Sequence, residues 1–435
     1  MDAMRVLLSM LILAACCGAL RAQEYVPSYG RELPQGRAAA CAGLAATDGG
    51  NLYAAPLDGW VLDGNRFSAP FTVPFAWIGR QVMLHVEHAS AGYEVRVNGH
   101  AVAYNSNGSA PANFNLTRMT REGANTLEIV LSEPDAAAVL ESWKLPASAP
   151  VLGAVWLASR PTMYVRDVTV KTRRNNPSDD FLAAEVGIVV KSCALNPRTS
   201  RIHYELTAPD GTAAAVGHEE MTLDMRREDT IRFLARIPDS LQWSAAHPVR
   251  YALRLKTQYE GHVVECSEFR PGFRTVGTDN GVLSVNDRPV ALRVCEVRPD
   301  IGAGEIEALR TKGYNALRLL PGPVSQSLFD LCDRLGLYLI VTAPVDTSRS
   351  GDSRRRGGNP SNDPAWLGAY LERAEDSYHG AKLHPSVVAF DLARRSANGI
   401  NLYETYLRMK RFDEPRPFVY SDVAGEWNSD TLLTE

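Results

Sequence analysis

The stretch HPSVVAFDLARRSANG, from His384 to Gly399, holds the residues that decide what chemistry this chain can do. Its apolar run, Val387 to Phe390, feeds a polar turn and then a helical segment from Ile400 to Phe412, the pattern of one βα unit. The turn sits at the strand's carboxyl end, where parallel barrels carry their functional groups. It presents Arg394 and Arg395. A guanidinium stays protonated at any working pH, so it binds anions and cannot shuttle a proton. Carboxylates fall at or near other strand ends: Glu296, Asp300, Asp346, Asp391, Asp422 and Glu426. Several acids arise there by chance, and nothing in their spacing fixes two of them as a pair.

The elements that must position these groups follow from about residue 277, where strand and helix patterns alternate. The strands are ALRVCEV, NALRLL, LYLIVTAPV, VVAFDLA and PFVYSDV. Between them run GEIEALRTKG, SQSLFDLCDRLG, AWLGAYLERAEDSYHGAKL and INLYETYLRMKRF. Leu328, Leu331, Cys332 and Leu335 recur on one helical face, and Gly313 and Gly336 stand where helices should end. This is the opening of a (β/α) barrel, five strands long. An unfinished barrel exposes a strand edge and an apolar face, so either the fragment rearranges, a second protein chain covers it, or the sequence is cut short.

Ahead of it lie two all-β regions. From 51 to 170 the segments FTVPFAW, VMLHVEH, YEVRVNGHAV and NTLEIVLSE have strand length, and Asn98-Gly99 is a hairpin turn. A jelly roll is expected. From 171 to 276 EVGIVVKS, RIHYELTAP, DTIRFLARI, YALRLKTQY and VVECSEF read as an immunoglobulin-like β-sandwich, the barrel domain then covering 277 to 435. Cys193 and Cys266 could face each other across that sandwich. Cys295 and Cys332, in apolar runs, are expected as small core residues.

Residues 1 to 22 are a targeting segment and 23 to 50 a linker rich in Ala, Gly and Pro. Arg5 precedes the short apolar run VLLSMLILAA, and Leu13-Ala14-Ala15-Cys16 resembles the lipobox of bacterial lipoproteins. That resemblance implies lipidation of Cys16 and an anchor in a bacterial, outer membrane. Cleavage near Ala22 by an ordinary signal peptidase is the alternative. A formal net charge of -4 gives no reason to expect nucleic acid as a partner. The cysteines lack CxxC or Cys/His spacing, so no metal is expected, and no organic cofactor either.

The order of motifs resembles glycoside hydrolase family 2, the β-galactosidases, β-mannosidases and β-glucuronidases. Val73-Pro74 with Trp77 and Gly79, LHVEHASAGYEVRVNGHAVAY, FNLTRMTREGANTLEIVL and Ser142-Trp143-Lys144-Leu145 are similar to its sugar-binding jelly roll. Trp243-Ser244 with Pro248 and Tyr251, and Gly272-Phe273-Arg274, match its second domain. The barrel resemblance rests on Val285 to Val290, Asn315-Ala316-Leu317-Arg318, Asn362 to Trp366 and His384-Pro385-Ser386. Retaining glycosidases use two carboxylates about 5 Å apart. The resemblance places the proton donor in an Asn-Glu pair, and here Arg394 replaces the asparagine and Arg395 the glutamate. Three further loops depart, at Glu296-Val297-Arg298, at Leu319 to Gly322 and at Val341-Thr342. The strand that carries the family's nucleophile would lie beyond Glu435.

The expectation is therefore a non-catalytic relative, an extracytoplasmic lipoprotein acting as scaffold or binding subunit. Two alternatives stand beside it. One is an active β-glycosidase whose carboxylates are displaced or supplied by a partner. The other is a glycan-binding protein using the jelly roll, with Trp60, Trp77 or Tyr104 stacked on sugar, although core packing suits all three. At the barrel mouth, Glu296, Arg298, Arg318, Asp391 and Asp422 are the candidate contacts. With Arg349, Arg354, Arg355, Arg356, Arg394 and Arg395 they make either a cationic face for an acidic glycan or protein, or a solvated loop with Arg394 and Arg395 paired to Asp391 or Asp422.

Overall fold

The computed structural model describes residues 25–32, 53–132, 139–144, 149–412, 414–420 and 429–434. Cys16, Asp422 and Glu426 lie outside the described residues.

The jelly-roll region is two antiparallel sheets packed face to face. One contains Arg66–Val73, Gly123–Leu131, Tyr93–Val97 and His100–Asn105, and the other Gln81–Val86, Ala112–Asn115 and Val155–Arg160. Alternation decides which side chains go in: Tyr93, Val95 and Val97 are fully buried, and Glu94 and Arg96 are not. Asn98 and Gly99 both take positive φ, as a two-residue hairpin turn demands. FTVPFAW is not one strand. Pro74 cannot donate to the ladder, so the strand stops at Val73 and Phe75–Trp77 forms a 3-10 turn.

A second sandwich follows, with Met163–Arg173, Phe181–Ser192 and Glu228–Pro238 in one sheet. Its other sheet holds Arg198–Thr207, Ala213–Leu223, Ala252–Tyr259 and His262–Phe269. Strand Met163–Arg173 thus pairs inside this sandwich, upstream of residue 171. Cys193 and Cys266 are free thiols, so no bridge joins the two.

The third unit is a five-stranded parallel sheet in sequence order. We label its strands β1 (Val294–Val297), β2 (Ala316–Leu319), β3 (Tyr338–Thr342), β4 (Val387–Asp391) and β5 (Phe418–Val419). The helices are α1 (Ala303–Thr311), α2 (Gln326–Leu335), α3 (Leu367–Ala381) and α4 (Ile400–Lys410). Ser325 caps α2 by accepting from the Leu328 amide, and Gly336 ends it in the left-handed region at φ 69°. Asp363 opens the approach to α3 by accepting from the Ala365 amide at 3.1 Å. One face of the sheet (Val297, Leu317, Leu319, Leu339, Val341) packs against Leu328 and Cys332 of α2 and Ala369 of α3. The opposite face carries Ile340, Ala389 and Val419, with Val294 and Leu432 against them. The architecture is β-rich with an incomplete barrel.

Candidate functional site

Strand alternation puts Glu296, Arg318, Thr342 and Asp391 on the sheet face turned away from the helices, towards the carboxyl ends. Glu296 lies in register with Arg318, and Thr342 with Asp391. The Arg318 guanidinium stands between two acids, with Nη1 3.7 Å from Glu296 Oε1 and Nε 3.8 Å from Asp391 Oδ2. Thr342 Oγ1 and Arg318 Nε are buried on this face with no hydrogen-bond partner among the described residues.

The loop after β4 closes over this face. Arg394 takes part in an isolated bridge with Asp346, its amide donating to the Val345 carbonyl at 2.8 Å, and its side chain reaches Glu296 Oε1 at 2.5 Å. Arg395 adopts φ 45°, an uncommon left-handed conformation for a residue with a side chain. Its guanidinium pairs with the buried Asp346 carboxylate, which also accepts from the Ser348 amide at 3.0 Å. Arg394 thus pairs with Glu296 and Arg395 with Asp346. Glu296 lies 98 residues from Arg394, and the sequence carries no local sign of that pairing.

Other predicted mouth residues do not converge. Arg298 pairs with its near neighbour Asp300 on the surface. Arg349, Arg354, Arg355 and Arg356 are exposed in the loop after β3. Trp77 is buried in the jelly-roll core, and Trp60 packs against that core with its indole N–H on the Leu57 carbonyl at 2.9 Å. Tyr104 stacks on Tyr29 with centroids 6.3 Å apart.

One acid cluster has metal-like spacing: Asp330, Asp333 and His384 offer ligand atoms within 4.8 Å of one another. Arg250 already sits in it, 3.0 Å from Asp330 and 3.9 Å from Asp333. Asp333 further accepts from the Ser386 amide and hydroxyl at 3.0 and 2.6 Å and meets His384 Nδ1 at 2.7 Å. The cluster reads as an internal ion-pair network with its cation supplied by arginine. Sequence reading missed a second network, where the buried Glu141 carboxylate meets Arg373 of α3 at 2.9 Å and Ser109 at 2.7 Å.

Residues 298–434 match the family described as "Glycosyl hydrolases family 2, TIM barrel domain". The chain is 25% identical over 385 residues to a β-galactosidase of Psychromonas ingrahamii, covering 84% of this chain and 36% of that protein. A β-galactosidase of Pectobacterium atrosepticum is 26% identical over 374 residues, covering 81% of this chain and 35% of its own length. Among solved structures, a putative β-galactosidase from Bacteroides fragilis superposes with a TM-score of 0.68 at 16% identity, over 84% of this chain and 57% of that one. A β-D-glucuronidase from Dictyoglomus thermophilum gives a TM-score of 0.64 at 20% identity, over 81% of this chain and 64% of its own. Fold and motif order together define a multidomain β protein carrying the opening of a TIM barrel. The barrel region is similar to the glycoside hydrolase family 2 barrel domain, and the chain spans about a third (36%) of the length of the curated relatives it matches.

Proposed function

We propose that this chain is a family 2 homologue without glycosidase activity, serving as an extracytoplasmic binding or scaffolding subunit. The observation that carries the reading is Arg395. By the motif resemblance it stands where the family's proton-donating glutamate is expected, and it pairs with Asp346. Arg394, beside it, takes up Glu296. An acid/base needs a pKa near the operating pH, which a guanidinium does not have.

The lipobox-like Leu13-Ala14-Ala15-Cys16 supports attachment to a membrane through Cys16. A Cys16→Ser variant that still partitions with membranes would count against the anchor. The outer edges of β1 and β5 have no neighbour in the sheet among the described residues, and strand pairing there is the proposed mode of partner binding.

The names of the relatives favour a second reading, an active β-glycosidase with rearranged carboxylates. One assay separates the two. Purified protein is incubated with p-nitrophenyl β-galactoside and β-glucuronide, and p-nitrophenol release at the buffer rate is expected. Turnover that Glu296→Gln or Asp391→Asn abolishes would establish an enzyme instead.

A further inference from the structure

A cleft of about 740 Å³ lies away from the barrel mouth, between the second sandwich and the helical side of the barrel. Strands Met163–Arg173, Phe181–Ser192 and Glu228–Pro238 line one wall, and α3 with the segment around residues 410–416 lines the other. Among the described lining residues, seven are Lys or Arg and three are Asp or Glu.

The acids are already committed. Asp167 pairs with Lys382, Glu414 with Arg416 at 2.6 Å, and Glu185 lies 3.9 Å from Arg232. Lys410 turns to Asp430 at 3.0 Å. Arg274 and Arg173 form no ion pair among the described residues, and Arg173 is exposed at the rim.

Arg274 is held in an unusual way. Its guanidinium and that of Arg416 both donate to one oxygen, the Val387 carbonyl at the start of β4. Two like charges therefore crowd one acceptor, and only Arg416 has a carboxylate of its own. Burial and then the Arg416 charge push Arg274 down to about 9, so it remains a cation at neutral pH. Burial and then Lys382 push His379 down to about 2, which leaves it neutral beside the cleft. The apolar part of the lining includes Leu234, exposed on its strand, and Phe412, stacked on Tyr378 with centroids 4.7 Å apart.

We propose that this cleft binds a small organic anion, a sugar-sized body bearing a phosphate, sulfate or carboxylate group. Arg274 and Arg173 take the anionic group, and Leu234 and Phe412 flank the body. A pocket of this volume with mixed walls suits a small molecule, and a guanidinium suits an oxyanion. The assignment is independent of whether the barrel mouth catalyses anything.

Calorimetric titration of the full chain at low ionic strength tests it, with glucose 6-phosphate, glucose 6-sulfate and glucuronate as probes. Uncharged glucose and inorganic phosphate are the controls. At least one charged sugar should bind, more weakly as salt rises, and the one that does identifies the head group. Arg173→Glu and Arg274→Gln should each weaken it about tenfold. Binding of glucose as tight as that of the charged sugars would overturn the anion requirement, and equal binding of inorganic phosphate would overturn the role of the body. No binding by any probe, or unchanged binding by both variants, would overturn the site. Should Arg274→Gln fail to fold, Arg173→Glu and the salt dependence decide.

Discussion

Arg394 and Glu296 meet at 2.5 Å across the carboxyl end of the parallel sheet, although 98 residues separate them. The contact joins the loop after β4 to the edge strand β1. Glu296 keeps Arg318 at 3.7 Å if Arg394 is removed, and it is 41% exposed, so water can take over the rest. Arg394→Ala should therefore cost about 1 kcal/mol or less. The urea midpoint, compared with Glu296→Ala and the double variant, checks this and gives the coupling directly.

Arg395 presents a different balance, because its partner Asp346 has a fully buried side chain whereas Arg395 is 62% exposed. Arg395→Glu would set a second carboxylate against the first. We expect about 2 kcal/mol of destabilisation, and no gain of glycosidase activity, since neighbouring acids still flank arginines. Hydrolysis of an aryl β-glycoside by that single variant would show that the scaffold needs only its acid restored.

The Arg373–Glu141 pair ties α3 to the jelly-roll region, in the stretch between its strands Gly123–Leu131 and Val155–Arg160, and both side chains are fully buried. Lys144 also pairs with Glu141 at 2.6 Å, so Arg373→Met leaves that carboxylate one cation and should cost about 2 kcal/mol. The pair also carries a pH signature. Burial pushes the Glu141 carboxyl up, but Lys144 and Arg373 overcome it and hold the group below the ordinary 4.5. A depressed folded value adds stability above the unfolded value and loses it as pH falls through the folded one. Below pH 4.5 the wild type should lose stability more steeply than Glu141→Gln. Parallel slopes for the two proteins in acid denaturation would refute it.

Cys193 and Cys266 are free in the folded chain, and burial pushes the Cys193 thiol up. Both should take up iodoacetamide after denaturation without reductant, and Cys193 should react slowly while native. Peptide mapping settles the point, and a Cys193–Cys266 linked peptide is the contrary result.

Much of the barrel was legible because its signals are local. Ser325 and Gly336 bracket α2, and Asp363-Pro364 opens the approach to α3, all through contacts within a few residues. Strand β4 read correctly because five consecutive buried residues leave few alternatives. The mouth was only half legible. That guanidiniums occupy the loop is a fact of sequence, but their pairing with Glu296 and Asp346 depends on how distant strands stack. Phe75–Trp77 misled for a related reason, since an apolar run does not reveal where Pro74 breaks the ladder.

The same limit applies to Asp333, a fully buried acid on α2 whose neighbours in sequence give no hint of its partners. It receives the Ser386 amide and hydroxyl and faces His384, and so fixes the His384-Pro385-Ser386 lead-in to β4. The carbonyl of the same residue accepts the Trp243 indole N–H at 3.0 Å, which ties the second sandwich to the barrel. Asp333→Ala would leave the Ser386 amide unmet in a dry site while the Trp243 contact, made by backbone, survives. The expected cost is about 3 kcal/mol, centred on β4. Hydrogen exchange should report it, with protection lost at Val387–Asp391 and kept around Trp243. Uniform loss across both would mean that Asp333 acts through global stability, and would remove it as the anchor of the strand that carries Arg394 and Arg395.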